Sequence, residues 1–421
     1  MDFKEALEYI SGTEWFGSKP GLERVGELLH RLGDPQNQLK FIHIAGTNGK
    51  GSASAMLASI MKAAGYKTGL FTSPYLARFT ERMKINGKEI GDDALADIVT
   101  RLQPQADTMD EHPTEFELMT AAALLWFAEE KCDIVVLEVG LGGRYDATNI
   151  IGVPEAAVIM NIGLDHTAVL GDTVDKIAWE KAGIIKSGCD VVLYQQSESV
   201  TNVVRAECEK HNAQLHIADF SAIAPEFDSL DGQVFTYKGE PYALPLLGAH
   251  QQRNSAVVLE AVDVLRARGW ALDQADVEYG LYAVSWSARF ELVSDDPFFI
   301  VDGGHNPQCA QTVADNLLHY FPDKRRVMLI GVLADKDYVG LTDILNIAAD
   351  EYVCVSPDSP RALSAEDLGR CVSRFGKNVT VCDSIRDGVA AAQDCAGADG
   401  MVCAVGSLYM AGEIRSCFGL K

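Results

Sequence analysis

Short apolar runs alternate with longer amphipathic stretches through most of the chain. Continuous apolar runs at 41–45, 67–72, 133–138, 156–160 and 190–193 predict buried strands. Apolar residues at helical spacing predict helices near 53–64, 91–103, 115–130, 173–186 and 198–211. The helix at 115 carries its own start signal. In Thr114-Glu115-Phe116-Glu117 a hydroxyl and a carboxylate three residues apart can satisfy each other's backbone N–H groups. A β-rich patch follows at 232–247, then a helix from His250 to about Arg268. A second series begins at Phe298-Phe299-Ile300-Val301-Asp302 and continues with strands near 326–331, 351–355, 378–382 and 400–405, with helices between them. This alternation predicts an α/β fold with largely parallel sheets. At 421 residues the chain is too long for one ordinary core. The polar turn Ser294-Asp295-Asp296-Pro297 predicts a boundary between a domain of residues 1–293 and one of residues 298–421. A site shared by two such domains is expected in a cleft facing the carboxyl ends of their strands.

The first strand, Phe41-Ile42-His43-Ile44-Ala45, runs into Gly46-Thr47-Asn48-Gly49-Lys50-Gly51-Ser52 and then a helix. Glycines let successive backbone N–H groups converge on phosphate oxygens without a Cβ in the way. The helix N-terminus adds partial positive charge, Lys50 can reach the β/γ-phosphates, and the Ser52 hydroxyl can ligate Mg2+. The spacing departs from G-x-x-x-x-G-K-[ST]: Ile44 stands where the first glycine would be, and Gly51 separates Lys50 from Ser52. A tight turn with an exposed lysine is the competing reading. The strand, glycine loop and helix in that order favour a nucleotide phosphate site.

Composition narrows the classes. Hydrophobic content of 48% with 23% charged residues is that of a soluble globular protein. No apolar run reaches the roughly 18 residues of a spanning helix. The start Met1-Asp2-Phe3-Lys4-Glu5 lacks the basic and apolar regions of a secretory signal, so a cytoplasmic protein with no membrane partner is expected. The 10 cysteines include no C-x-x-C pair, which fits reduced core residues better than disulfides or zinc. A net charge of −24 argues against nucleic acid as a partner. An anionic small substrate would need local cations, and Arg78, Arg82 and Lys84 are the candidate cluster.

Three further strand ends could share the loop's edge of the sheet. Asp133-Ile-Val-Val-Leu-Glu138-Val-Gly-Leu-Gly-Gly143 aims a carboxylate where a phosphate-loop enzyme needs one for Mg2+, although a solvent-facing strand-end glutamate would look the same. Thr72-Ser73-Pro74, taken alone, is a turn. Gly163-Leu164-Asp165-His166 offers an imidazole, an uncommon ligand for an ion that prefers oxygen. In the second series, His305-Asn306-Pro307 opens a helix just after the Asp302 strand end, which reads equally as a capped helix start or as a presented carboxylate and imidazole.

The wording A-G-T-N-G-K-G-S, with T-S-P at Ser73, E-V-G-L-G-G-R at Glu138 and G-L-D-H at His166, resembles the folylpolyglutamate synthase/dihydrofolate synthase family of the Mur-ligase superfamily. The likeness continues through Trp179-Glu180-Lys181-Ala182-Gly183-Ile184-Ile185-Lys186 and Gly248-x-His250-Gln251-x-x-Asn254. It ends with Asp302-Gly-Gly-His305-Asn306-Pro307, Asp335-Lys336-Asp337 and Gly406-Ser407-Leu408-Tyr409, so it runs in order from about Gly17-Ser18-Lys19-Pro20 to the C-terminus. Departures are Tyr75 where the family often has His, Trp286-Ser287-Ala288-Arg289 where it usually has W-P-G-R, and Gly304 in D-G-A-H-N.

The resemblance implies a phosphate-loop Mur-ligase-like domain followed by a smaller Rossmann-like α/β domain. It implies ATP-dependent ligation of L-glutamate to reduced folates through an acyl phosphate, with ATP and Mg2+ as cofactors. Gly46 to Ser52, Asn254, Arg289 and Asp302 would contact ATP; Ser73, Glu138, His166 and a carbamylated Lys181 would serve the metals; Lys50, Lys181, Asp302 and His305 would act in catalysis. Arg82, Asp146 and Ala147 would contact the folate. Asp146-Ala147-Thr148-Asn149 resembles the D-A-T-N pattern of bifunctional bacterial members, which adds dihydropteroate as a substrate. A monomer is the implied state. The alternatives are a Mur-type cell-wall ligase, disfavoured because no recognisable UDP-binding domain precedes the loop, and a non-catalytic ATP-binding switch, which has no need of the second-domain motifs.

Overall fold

A computed structural model describes residues 1–13 and 21–420. Gly17-Ser18-Lys19-Pro20, where the family likeness begins, lie outside the described residues. The chain forms two compact units. The first comprises Met1–Ala224, Thr236–Tyr242 and Arg253–Val284, and the second Pro225–Phe235, Ala243–Gln252 and Ser285–Lys421.

The first unit is built on strands β1 (Phe41–Ala45), β2 (Thr68–Phe71), β3 (Met83–Ile85), β4 (Lys88–Glu89), β5 (Ile134–Glu138), β6 (Ala156–Ile159), β7 (Asp190–Leu193) and β8 (Gln214–Ile217). Their order is β4-β3-β2-β5-β1-β6-β7-β8. All pairs from β2 to β8 are parallel, while β3 and β4 add an antiparallel edge. The central strands β1 and β5 are buried along their whole length, as continuous apolar runs covered on both faces must be. Phe71, Val135 and Leu137 pack with Leu95, Val99, Leu118 and Phe127 from the helices Asp92–Ala106 and Glu115–Glu129. Ala45, Ala157 and Ile159 pack with Ile177 and Val204 from the helices Val174–Ala182 and Glu198–Lys210.

Strands β9 (Ile223–Ser229), β10 (Gly232–Tyr237) and β11 (Glu240–Leu244) form a three-stranded sheet. The second unit carries β12 (Glu291–Asp295), β13 (Phe298–Val301), β14 (Arg325–Ile330), β15 (Glu351–Cys354), β16 (Asn378–Val381) and β17 (Gly400–Val405), in the order β12-β13-β17-β14-β15-β16. Only the β12–β13 pair of this sheet is antiparallel. Its core joins Ile300, Met328, Ile330 and Tyr352 to Val313 and Leu317 of the helix Pro307–Tyr320.

The α/β class and the long apolar strands are as the pattern predicts. Several boundaries differ. The turn Ser294–Pro297 is the hairpin between β12 and β13, so it lies inside the second unit, which the chain enters at Ser285. The helix after the glycine loop begins at Lys50 rather than Ala53, because Gly49 at φ +86° and ψ −9° turns the chain straight into it. The helix predicted over 173–186 stops at Ala182, and the one predicted over 91–103 continues past Pro104 to Ala106. All 10 cysteines are free thiols. Among the described residues no helix is long and apolar enough to cross a membrane.

Candidate active site

The glycine loop lies at the carboxyl end of β1, between β5 and β6, where neighbouring strands leave to opposite sides and a crevice opens. The chain from β6 holds the loop in place. Thr47 N–H donates to the Asn161 carbonyl at 2.7 Å. The Thr47 hydroxyl donates to the Gly163 carbonyl and accepts from the Gly163 N–H, each at 3.1 Å. Gly49 has to be glycine twice over: its φ is left-handed, and a Cβ there would lie 2.8 Å from Asn254 Oδ1. Because the helix starts at Lys50, the backbone N–H groups of Lys50, Gly51 and Ser52 belong to its first turn, where no carbonyl of the helix can take them.

Lys50 folds back over the loop, with Nζ 3.4 Å from the Thr47 carbonyl and 3.9 Å from Glu138 Oε1. Glu138 ends β5 opposite Ile44 and is buried. Its Oε2 accepts the Ser73 N–H at 3.3 Å, so the turn after β2 also ends here. Lys181 reaches the loop from the helix Val174–Ala182, and its Nζ donates to the Gly46 carbonyl at 2.9 Å. Burial, aided by the charge of Lys50, pushes the Lys181 amine down to about 7, against the opposing pull of Asp165, Asp146 and Glu180. Four of the expected residues therefore converge on one strand edge.

His166 is exposed, has φ +50°, and heads the short helix Thr167–Leu170 beside Asp165, whose Oδ1 accepts the His166 N–H at 2.8 Å. Asp165, read in the sequence only as part of G-L-D-H, is a carboxylate whose field acts on Lys181.

The D-A-T-N stretch turns inward. Asp146 is buried, with Oδ2 accepting the Leu141 N–H at 2.9 Å and Oδ1 accepting the Thr148 N–H at 3.0 Å. Burial raises its carboxyl while these hydrogen bonds oppose the rise. Thr148 Oγ1 lies 3.0 Å from Nε2 of His43, which burial pushes down to about 3 and so keeps neutral. Asn149 Nδ2 donates to the carbonyls of Arg144 and Gly183, both at 3.0 Å. The stretch thus ties the loop after Glu138 to β1 and to the end of the Lys181 helix. Of the expected cationic cluster, Arg78 is paired with Asp92 at 2.6 Å, a carboxylate that any bound anion would have to displace. The Arg82 guanidinium lies 4.9 Å from the Tyr75 ring centroid.

In the second unit Asp302 follows β13 and is buried, with Oδ1 accepting the Gly304 N–H at 2.7 Å and Oδ2 the Phe290 N–H at 2.8 Å. Burial raises its carboxyl, and the Arg289 charge opposes this first. His305 Nδ1 lies 3.0 Å from the Gly303 carbonyl, which can only accept, so Nδ1 carries a proton and in the neutral ring Nε2 is the acceptor. Asn306 caps the following helix by accepting the Cys309 N–H at 3.0 Å, with Pro307 in its first turn.

Known proteins are similar to this chain in sequence and fold. Residues 44–262 match the Mur ligase middle domain and residues 288–408 the Mur ligase glutamate ligase domain. A dihydrofolate synthase/folylpolyglutamate synthase of Bacillus subtilis is 36% identical over 98% of this chain and 98% of its own length. The folylpolyglutamate synthase of Lacticaseibacillus casei is also 36% identical, over 99% of this chain and 98% of its own. A Mycobacterium tuberculosis folylpolyglutamate synthase complexed with ADP superposes with a TM-score of 0.92 at 32% identity, covering 100% of this chain and 98% of that one. Escherichia coli FolC in complex with DHPP and ADP gives 0.89 at 30% identity, with the same coverage of 100% and 98%. Similarity of this extent, over both units and at identities of 30% and above, means that the chain belongs to the folylpolyglutamate synthase/dihydrofolate synthase family of Mur ligases.

Proposed function

We propose that this chain uses ATP to join L-glutamate to a carboxylate of reduced folates, and that it accepts dihydropteroate as well. The observation that carries the reading is the meeting of Lys50, Glu138 and the Ser73 amide at the glycine loop, in a chain related over its full length to folate ligases. Gly46, Thr47, Asn48, Gly49, Lys50, Gly51 and Ser52 wrap the ATP phosphates, with Asn254 beside Gly49. An acceptor carboxylate oxygen attacks the γ-phosphorus, the bond to the ADP oxygen breaks, and an acyl phosphate forms. The glutamate nitrogen then attacks the acyl carbon, phosphate departs with the electron pair, and the nitrogen loses its proton. Lys50 offsets charge on the transferred group, and the loop amides orient it.

Carboxylate and hydroxyl oxygens at Glu138 and Ser73 are the donor chemistry that suits Mg2+. Among the described residues no group of three or more His, Cys, Asp and Glu could hold a metal ion. Bound there, Mg2+ supplies neutralising charge to the phosphates. His166 and Lys181 are the candidates for a second ion, Lys181 through a carbamate oxygen. The depressed amine of Lys181 supports that modification, since a carbamate forms on the neutral amine.

The second unit, with residues 285–421, serves as the glutamate-ligase domain and the first unit as the nucleotide domain, with Arg289 and Asp302 as ATP contacts. The acceptor nitrogen of His305, Nε2, is suited to take the ammonium proton of glutamate. Arg82, Asp146 and Ala147 mark the folate side. The protein acts as a cytoplasmic monomer.

The test is phosphate release with tetrahydrofolate or dihydropteroate, with and without L-glutamate. Release should require both co-substrates and yield a product heavier by a glutamyl residue, and Lys50→Ala should abolish it without altering the melting curve. ATP hydrolysis indifferent to folate and glutamate would return the chain to the class of nucleotide switches.

A further inference from the structure

Strands β2 and β3 pair antiparallel, with Phe71 opposite Met83, yet residues 72–82 intervene where a hairpin needs about two to five. A connection of that length must satisfy its own backbone groups or leave them to water. Its base is closed by the Thr72 N–H, which donates to the Arg82 carbonyl at 3.0 Å. Inside the loop one carboxylate gathers three amides. Glu81 Oε1 accepts the N–H groups of Ala77 at 2.8 Å and Arg78 at 2.7 Å, and Oε2 accepts that of Leu76 at 2.9 Å. Such charge-assisted bonds are roughly twice as strong as neutral ones.

The loop begins at Ser73, whose N–H rests on Glu138, and it ends at Arg82. Between them Tyr75 is 39% exposed. The Arg82 guanidinium is stacked 4.9 Å from the Tyr75 centroid and 5.6 Å from that of Phe79. The backbone that Glu81 holds, 76–78, is the span joining Tyr75 to Phe79. Its shape decides whether the two rings stand together under the guanidinium.

We propose that Glu81 is a positioning residue for the acceptor substrate: by holding the amides of Leu76, Ala77 and Arg78 it fixes the loop that seats Arg82 on Tyr75 and Phe79 to meet the carboxylates of a folate tail. The inference rests on the folate reading above. Glu81 itself touches no substrate and acts through Arg82.

Two variants and two readouts test it. Glu81→Ala removes both acceptor oxygens and with them all three hydrogen bonds. Glu81→Gln keeps the reach and one carbonyl oxygen but turns an NH2 group towards a backbone N–H. Loss of three oriented charged hydrogen bonds should raise the KM for tetrahydrofolate about tenfold or more in Glu81→Ala and less in Glu81→Gln. The KM for ATP should stay within about twofold, since the glycine loop is untouched. Hydrogen exchange at Leu76, Ala77 and Arg78 should accelerate in the same order. A merely structural glutamate would lower the melting temperature and leave the folate KM unchanged, or raise both KM values together; either result overturns the assignment, as does unchanged exchange. Should Glu81→Ala fail to fold, Glu81→Gln carries the same comparison. A wild type that ligates no folate overturns the functional reading itself, whereas an active wild type whose folate KM survives both substitutions overturns the role of Glu81 alone.

Discussion

Ala288 stands in the left-handed region at φ +55°, fully buried, where the related motif usually has glycine. Its neighbours hold it there: its N–H donates to Glu291 Oε2 at 2.8 Å, and its carbonyl accepts from the Gly303 N–H at 3.0 Å. Two effects oppose each other at this position. Relief of left-handed strain by glycine is worth about 1–2 kcal/mol, while losing a buried methyl costs about 0.8 kcal/mol and glycine adds freedom to the unfolded chain. Ala288→Gly should therefore change stability by less than about 1 kcal/mol, whereas a β-branched Ala288→Val should cost more than about 2 kcal/mol. Urea midpoints at constant m decide it, and a strongly destabilised Ala288→Gly would show that the methyl matters more than the backbone. Lys181 is governed by charge instead. Its amine titrates near 7 in the folded chain against an ordinary 10.5. Below pH 7 both states hold the proton and the folded state bears the buried charge; between 7 and 10.5 the unfolded chain binds more protons, so stability rises with pH across that window. Lys181→Met has no such titration. Its stability advantage over the wild type should be greatest below about pH 7 and shrink as the pH climbs, measured in carbon-dioxide-free buffer. A pH-independent gap would refute the depressed amine.

At the scale of elements, the D-A-T-N stretch shows how a motif that reads as a ligand contact is also a brace. Asp146→Asn keeps one acceptor oxygen for Thr148 but sets an amide NH2 against the half-buried Leu141 N–H. Leaving that donor unsatisfied should cost about 1–3 kcal/mol. The same loop follows Glu138 and abuts the Lys181 helix through the bond from Asn149 to Gly183, so ligation of dihydropteroate and of tetrahydrofolate should fall together. Loss of dihydropteroate ligation alone, at full stability, would show that Asp146 is a pterin contact and no brace. Elements with strong apolar runs, such as β1 and β5, were readable from the sequence because burial on both faces leaves few polar positions in them, His43 in β1 and the terminal Glu138 of β5. The missed strands lie at or near sheet edges or in hairpins. Among them β8 has exposed or half-buried positions throughout, and β9 is mostly exposed. The pattern gave β16 as a strand from its valines, but it showed no β8, because such strands owe their form to the backbone pairing a neighbour offers.

Across the whole molecule, the local order of residues was enough for the α/β class, the glycine loop and the family, since each is written in consecutive residues whose spacing has a physical meaning. Strand, glycines, lysine and helix are adjacent in sequence, so their chemistry can be read before any fold is known. Distances between remote residues cannot. Lys181 reads in sequence as an ordinary helix lysine, and only the packing of the helix Val174–Ala182 against the loop brings it to the Gly46 carbonyl and removes the water that would keep it charged. Ser73 reads as a turn until β2 and β5 lie side by side and Glu138 meets its amide. Arg78 reads as a free cation until Asp92 takes it. Glu81, unremarkable among 60 acidic residues, becomes the organiser of a loop once its three amides are seen around it. The sequence by itself determined which chemistry is present, because motif and periodicity are local. The tertiary structure alone decided which charges are buried, paired or exposed, because desolvation and Coulomb energies depend on neighbours that folding brings from far along the chain.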